Sequence, residues 1–193
     1  MKKLNLLIAF ILFCFLSNAQ ILKSFLPSPA FSDSLGKIVL DFRQNFANIQ
    51  NEMMPMEANM EVYSSKVKLP GSVECYIYRS HSVKDSTCTF QAVMYQGESY
   101  EQASKVYKNI FYLVKKSRIK RFDRLGSVWK GELDNPGSLA FATSTLYMNT
   151  TDEDFMNLVA EVELINTYSG WEVHLNIHNK TNDADLLPTD PRS

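Results

Sequence analysis

The chain has 193 residues, 45% of them hydrophobic, and a formal net charge of −1. That length suits one domain of ordinary size after a leader is removed, and the near-neutral balance excludes bulk electrostatic binding to nucleic acid. Beyond the N-terminal segment no apolar run reaches the roughly 20 residues of a permanent membrane span.

Met1-Lys2-Lys3 is a short positive start, and Leu4 to Leu16 is almost wholly apolar. Ser17-Asn18-Ala19 then offers small residues before Gln20. This is the order of a secretory signal peptide, so residues 1–19 are expected to be cleaved and the protein exported, to the periplasm or beyond the cell of a bacterium. Phe13 stands where lipid attachment to Cys14 would need a small residue. Loss of Lys2 and Lys3 leaves 18 basic and 21 acidic residues, a net charge of −3.

Ser32-Asp33 can cap a helix starting near Ser34. Its apolar stripe is Leu35, Ile38, Val39, Phe42, Phe46 and Ile49. Met53, Met54, Met56 and Met60 cluster in the connection that follows, where they are expected to fill core under a loop rather than form an adaptable surface. Glu61 to Leu69 is expected as a strand closed by Pro70-Gly71. Residues 73–78 and 88–94 alternate as strands around a polar loop. Export favours a Cys75–Cys88 disulfide, worth about 3 kcal/mol in the chain-entropy account. That pairing sets Cys75 against Cys88 and Val73 against Phe90. It gathers Val73, Cys75, Ile77, Cys88, Phe90, Ala92 and Met94 on one face.

Ser99 and Gln102 have capping-box spacing at the start of a second helix. Ala103, Val106, Tyr107, Ile110, Leu113 and Val114 form its buried stripe. Its end is basic, with Lys115, Lys116, Arg118, Lys120, Arg121 and Arg124. Such charge suits a helix C-terminus, or an anionic partner. Val128 to Leu133 and Leu139 to Met148 then form a hairpin through Asp134-Asn135-Pro136-Gly137, with Trp129 opposite Ala142. Residues 151–154 cap a single helical turn. Leu158 to Ile165 and Trp171 to Ile177 pair through residues 167–170, with Leu164 opposite Val173 and Glu163 opposite His174. Residues 181–193 read as a loose tail.

The order of elements predicts an α+β fold: an antiparallel sheet of hairpins with two amphipathic helices packed on it, in one domain over residues 20–180. Its two halves share the order helix, then strands. Tyr76, Tyr78 and Tyr95, with Phe141 and Tyr147, would share the face opposite the core and form an aromatic strip for a ligand, a protein partner or a second copy of the chain.

The chain has no nucleophile elbow, P-loop, metal-binding helix motif or dinucleotide turn, and nothing in it calls for a cofactor or metal. The nearest approach to acid–base chemistry is Glu163 with His174 on the last hairpin; an exposed cross-strand pair accounts for the same residues. The expected function is therefore a non-catalytic binding module. A hydrolase using Glu163 and His174 is the alternative. An inhibitor or accessory subunit acting through Lys115–Arg124 is a third reading.

Overall fold

The computed structural model describes residues 26–55, 60–81, 86–120, 129–137 and 141–180. The expected signal peptide, the C-terminal tail, Met56, Arg121 and Arg124 lie outside them. Helix α1 (Pro29–Asp41) is followed by a 3-10 turn and by β1 (Gln50–Met53), β2 (Met60–Ser65), β3 (Glu74–His81) and β4 (Ser86–Gly97). Helix α2 (Tyr100–Lys116) then precedes β5 (Trp129–Lys130), β6 (Ala142–Met148), β7 (Leu158–Thr167) and β8 (Gly170–Asn179). Among the described residues the strands form one eight-stranded sheet in the order β1-β2-β3-β4-β8-β7-β6-β5, with every neighbouring pair antiparallel. The fold is thus α+β. Each half is a helix followed by a four-strand meander, and the two meanders join where β4 meets β8.

Helix α1 starts five residues before the expected Ser34. Ser28 is its cap, the side chain accepting from Phe31 N–H at 3.1 Å. Pro29 takes the first helical position, where no N–H is needed. The helix ends at Asp41, short of Phe46 and Ile49. Asn45 and Phe46 instead take left-handed φ values of 50° and 57°. The Asp41 carboxylate holds this turn by accepting from Asn48 N–H (3.1 Å), Asn48 Nδ2 (2.6 Å) and Ile49 N–H (3.2 Å). Phe46 is fully buried all the same and meets Phe90 of β4 with ring centroids 6.1 Å apart.

Helix α2 begins at the expected cap, with Ser99 Oγ accepting from Gln102 N–H at 3.3 Å, while the Gln102 side chain accepts from Tyr95 Oη and does not complete the capping box. It buries Ala103, Tyr107, Ile110, Phe111 and Val114. These residues share one core with Leu35, Ile38 and Val39 of α1 and with Ile77, Phe90, Ala92, Val162, Leu164, Val173 and Leu175 from the strands. Both helices therefore cover the same face of the sheet.

The β7–β8 hairpin has the expected register throughout, including Leu164 opposite Val173 and Glu163 opposite His174. The β3–β4 hairpin does not. Cys75 faces Ala92 and Cys88 faces Arg79, and both cysteines are free and buried. Four residues of strand separate them along the hairpin, about 13 Å at 3.3 Å per residue, beyond the roughly 7 Å Cα separation a disulfide can bridge. Each thiol has its own neighbour: Ser72 Oγ lies 3.3 Å from Cys75 Sγ, and the Arg79 guanidinium reaches Cys88. The expected and observed registers differ by an even number of residues, so the buried face is the same in both. Val73 lies outside this set and is exposed.

Three further expectations change. Trp129 faces Met148, not Ala142, and residues 131–137 are a loop rather than a strand and tight turn. Tyr107 Oη donates to Asp134 O, Tyr100 Oη to Pro136 O and Lys115 Nζ to Gly131 O, so α2 anchors that loop. Met53, Met54 and Met60 are exposed near the β1 edge of the sheet instead of filling core.

Candidate functional site

The face of the sheet turned away from the helices carries an ordered set of polar side chains. Period-two alternation puts Gln91 of β4, Asn176 of β8 and Glu161 of β7 side by side, one on each strand. Gln91 Nε2 donates to Asn176 Oδ1 at 3.0 Å, and Asn176 Nδ2 donates to Glu163 Oε2 at 2.6 Å. His178 Nε2 lies 3.0 Å from Glu161 Oε2, while its Nδ1 lies 2.7 Å from Asn179 O. His174 Nε2 lies 2.9 Å from Glu172 Oε2. All three carboxylates and both imidazoles at the centre of this face therefore have partners.

The electrostatics follow from those partners. Both ring nitrogens of His178 point at acceptors, an arrangement that suits the doubly protonated ring. Burial works against that charge, but the bonds to Glu161 and Asn179 and the charges of Glu161 and Glu163 outweigh it, so the His178 pKa is raised. Glu161 is lowered first by its hydrogen bond to His178, against the opposing effect of burial. Glu172 is also lowered; burial opposes this, and hydrogen bonds from His174, Ser169 and Thr167 prevail. For Tyr78, burial raises the phenol pKa, helped by the charges of Glu172 and Glu74.

Glu163 and His174 are neighbours in register, yet each bonds elsewhere: Glu163 to Asn176 and His174 to Glu172. The acid–base pair of the alternative hydrolase reading does not form a direct bond. Hydroxyl groups do lie nearby, since Thr167 and Ser169 both donate to Glu172 Oε1. That puts the carboxylate between the hydroxyls and the imidazole. Nucleophilic catalysis needs the imidazole in contact with the hydroxyl. Among the described residues no group of three His, Cys, Asp or Glu side chains is arranged to hold a metal ion, and no helix is long and apolar enough to cross a membrane.

The expected aromatic strip is broken. Tyr76 and Tyr78 make an edge-on pair, with centroids 6.1 Å apart. Tyr95 leaves the face because β4 bulges between Val93 and Tyr95. It packs against the core, and its hydroxyl donates to Ser99 O and Gln102 Oε1. Phe141 is strongly exposed, and Tyr147 lies under Lys180 Nζ at 5.5 Å. Four strand spacings, roughly 19 Å, separate Tyr76 and Tyr78 from Tyr147, and the polar centre fills that interval.

The basic segment converges only in part. Lys115 Nζ donates to Gly131 O at 2.7 Å, Lys116 stands over the Tyr112 ring, and Lys120 pairs with Asp33 at 3.1 Å. Lys115, Lys116 and Arg118 border one depression beside α2, and Arg118 and Lys120 border another beside α1.

A groove of about 570 Å³ does form on the polar face, beside the tyrosine pair. Met60, Tyr78, Ser80, Thr89, Gln91, Asn176 and His178 line it. Sequence reasoning missed Ser80, Thr89 and Gln91. Their signal was present in the alternation, which puts Thr89 and Gln91 on either side of buried Phe90. Joining them to Asn176 required the pairing of β4 with β8, a contact between strands some 85 residues apart. No protein-family model, curated protein or solved structure matches this chain.

Proposed function

We propose that the protein is an exported, non-catalytic binding module whose groove on the far sheet face receives a small polar ligand. One observation carries this reading. The charged groups of the face all have partners within it, whereas, among the described residues, Tyr78 Oη, Ser80 Oγ and Thr89 Oγ1 have no hydrogen-bond partner, and all three border one groove. Unspent neutral donors and acceptors in a concavity of this size, within the roughly 300–1,000 Å³ of ligand sites, suit recognition rather than turnover.

Export rests on the leader-like residues 1–19. Native mass spectrometry of the protein purified from its source without reductant tests both parts of the reading. The expected chain begins at Gln20, and the expected wild type carries a bound small molecule. Tyr78→Ser should lose that molecule with an unchanged circular dichroism spectrum. Retention at wild-type occupancy would reject the groove. A hydrolytic activity abolished by His174→Ala in a folded variant would overturn the non-catalytic reading.

A further inference from the structure

Resting on that reading, we infer that the ligand of the groove is a neutral saccharide, held with a sugar ring against Tyr78. Among the described residues no lysine or arginine borders the groove, and its imidazole, His178, is already paired with Glu161, so a phosphate, sulfate or carboxylate would enter without a free counter-charge and lose its hydration. A cation would meet carboxylates already committed: Glu161 to His178, Glu163 to Asn176 and Glu172 to His174. A peptide strand has no edge to join, because β3, β4 and β8 are interior strands with both sides paired; strand addition needs an exposed edge. A wholly apolar ligand would strand the three hydroxyls and the Gln91 amide.

A sugar matches what remains. Its hydroxyls donate and accept at once, and so do the hydroxyls and side-chain amides of the lining. Gln91 and Asn176 are already oriented by the chain of bonds from Gln91 to Asn176 to Glu163, so little ordering is left for binding to impose. The C–H face of a sugar ring is apolar and needs a flat partner. Tyr78 supplies one, steadied edge-on by Tyr76 at 6.1 Å. The site is an open groove and not a closed cavity, so one or two units of a longer glycan could lie in it while the rest of the chain stays in water.

The test is an array of neutral and acidic glycans probed with the wild-type protein, followed by titration of any positive glycan by 15N–1H NMR. Binding is expected for at least one neutral glycan, with shifts centred on Tyr78, Ser80, Thr89, Gln91 and Asn176. Gln91→Ala and Tyr78→Ala should each weaken it by about ten-fold or more, and Tyr78→Phe, which keeps the ring, should lose less. Binding confined to acidic glycans, or neutral-glycan binding untouched in both alanine variants, would overturn the inference. If no glycan binds but a different molecule copurifies and is lost from Tyr78→Ser, the saccharide assignment fails and the binding module stands. If no glycan binds and nothing copurifies, both fail.

Discussion

Single residues decide much of what this face can do. His178 is held above its ordinary pKa and Glu161 below its own. A raised histidine pKa contributes stability that is fully present below the unfolded value, near 6.5, and is lost as pH rises through the folded value. A lowered carboxylate pKa contributes stability present above about 4.5 and lost as pH falls through the folded value. The pair is therefore most stabilising between those two limits. The urea midpoint should be higher at pH 5.5 than at pH 8.5, by an amount equivalent to about 1 kcal/mol, and Glu161→Gln should flatten that difference. Asp41 is a second decisive residue. It is a nearly buried carboxylate with three donors around it. Asp41→Ala would leave those donors unmatched, and a loss of about 2–3 kcal/mol is expected in equilibrium unfolding. A loss below about 0.5 kcal/mol would mean that the turn after α1 does not depend on it.

At the scale of elements, the lesson lies in register. The β7–β8 hairpin is legible because a two-residue turn fixes it: Thr167 pairs with Gly170, and Gly170 has φ 116°. A Cβ at Gly170 would also come within 2.7 Å of Gly97 O. Gly170→Ala should cost about 1 kcal/mol or more, read as a lowered thermal midpoint. The β3–β4 hairpin had no such marker. Alternation specifies which face a side chain takes, because a one-residue slip exposes the apolar set, but a shift by an even number leaves the face intact. The same ambiguity moved Trp129 from Ala142 to Met148. The observed register makes a chemical prediction. Alkylation of the denatured protein without reductant should label both Cys75 and Cys88, and reductant should leave the thermal midpoint unchanged. A product lacking both labels would show the thiols bonded and the register displaced. The bulge in β4 is a third element-scale effect. It turns Tyr95 toward the start of α2 and removes it from the polar face, which no propensity in the sequence announced.

For the whole molecule, the core sits between one sheet and two helices, and Phe90 lies near its middle. It is fully buried, on a central strand, and in ring contact with Phe46. Phe90→Ala is expected to cost about 3–5 kcal/mol, measurable by urea titration, and a much smaller loss would mean that the site collapses around the gap. The same strand carries Gln91 on its other side, so core and groove are two faces of one element. Apart from β1, where the helical spacing of apolar residues ran on to Ile49, the elements and their buried stripes were legible in the sequence because they depend on periods of two and 3.6 residues and on local caps such as Ser99. The last hairpin was legible for the same reason, its contacts being close along the chain. The groove was not. Gln91 meets Asn176 only because β4 joins β8 across the middle of the sheet; the bonds of Glu163 to Asn176 and of His174 to Glu172 lie within the last hairpin, where the register was legible but the choice among neighbouring side-chain partners was not. Local periodicity determined which residues face away from the core; long-range strand pairing decided which of them meet.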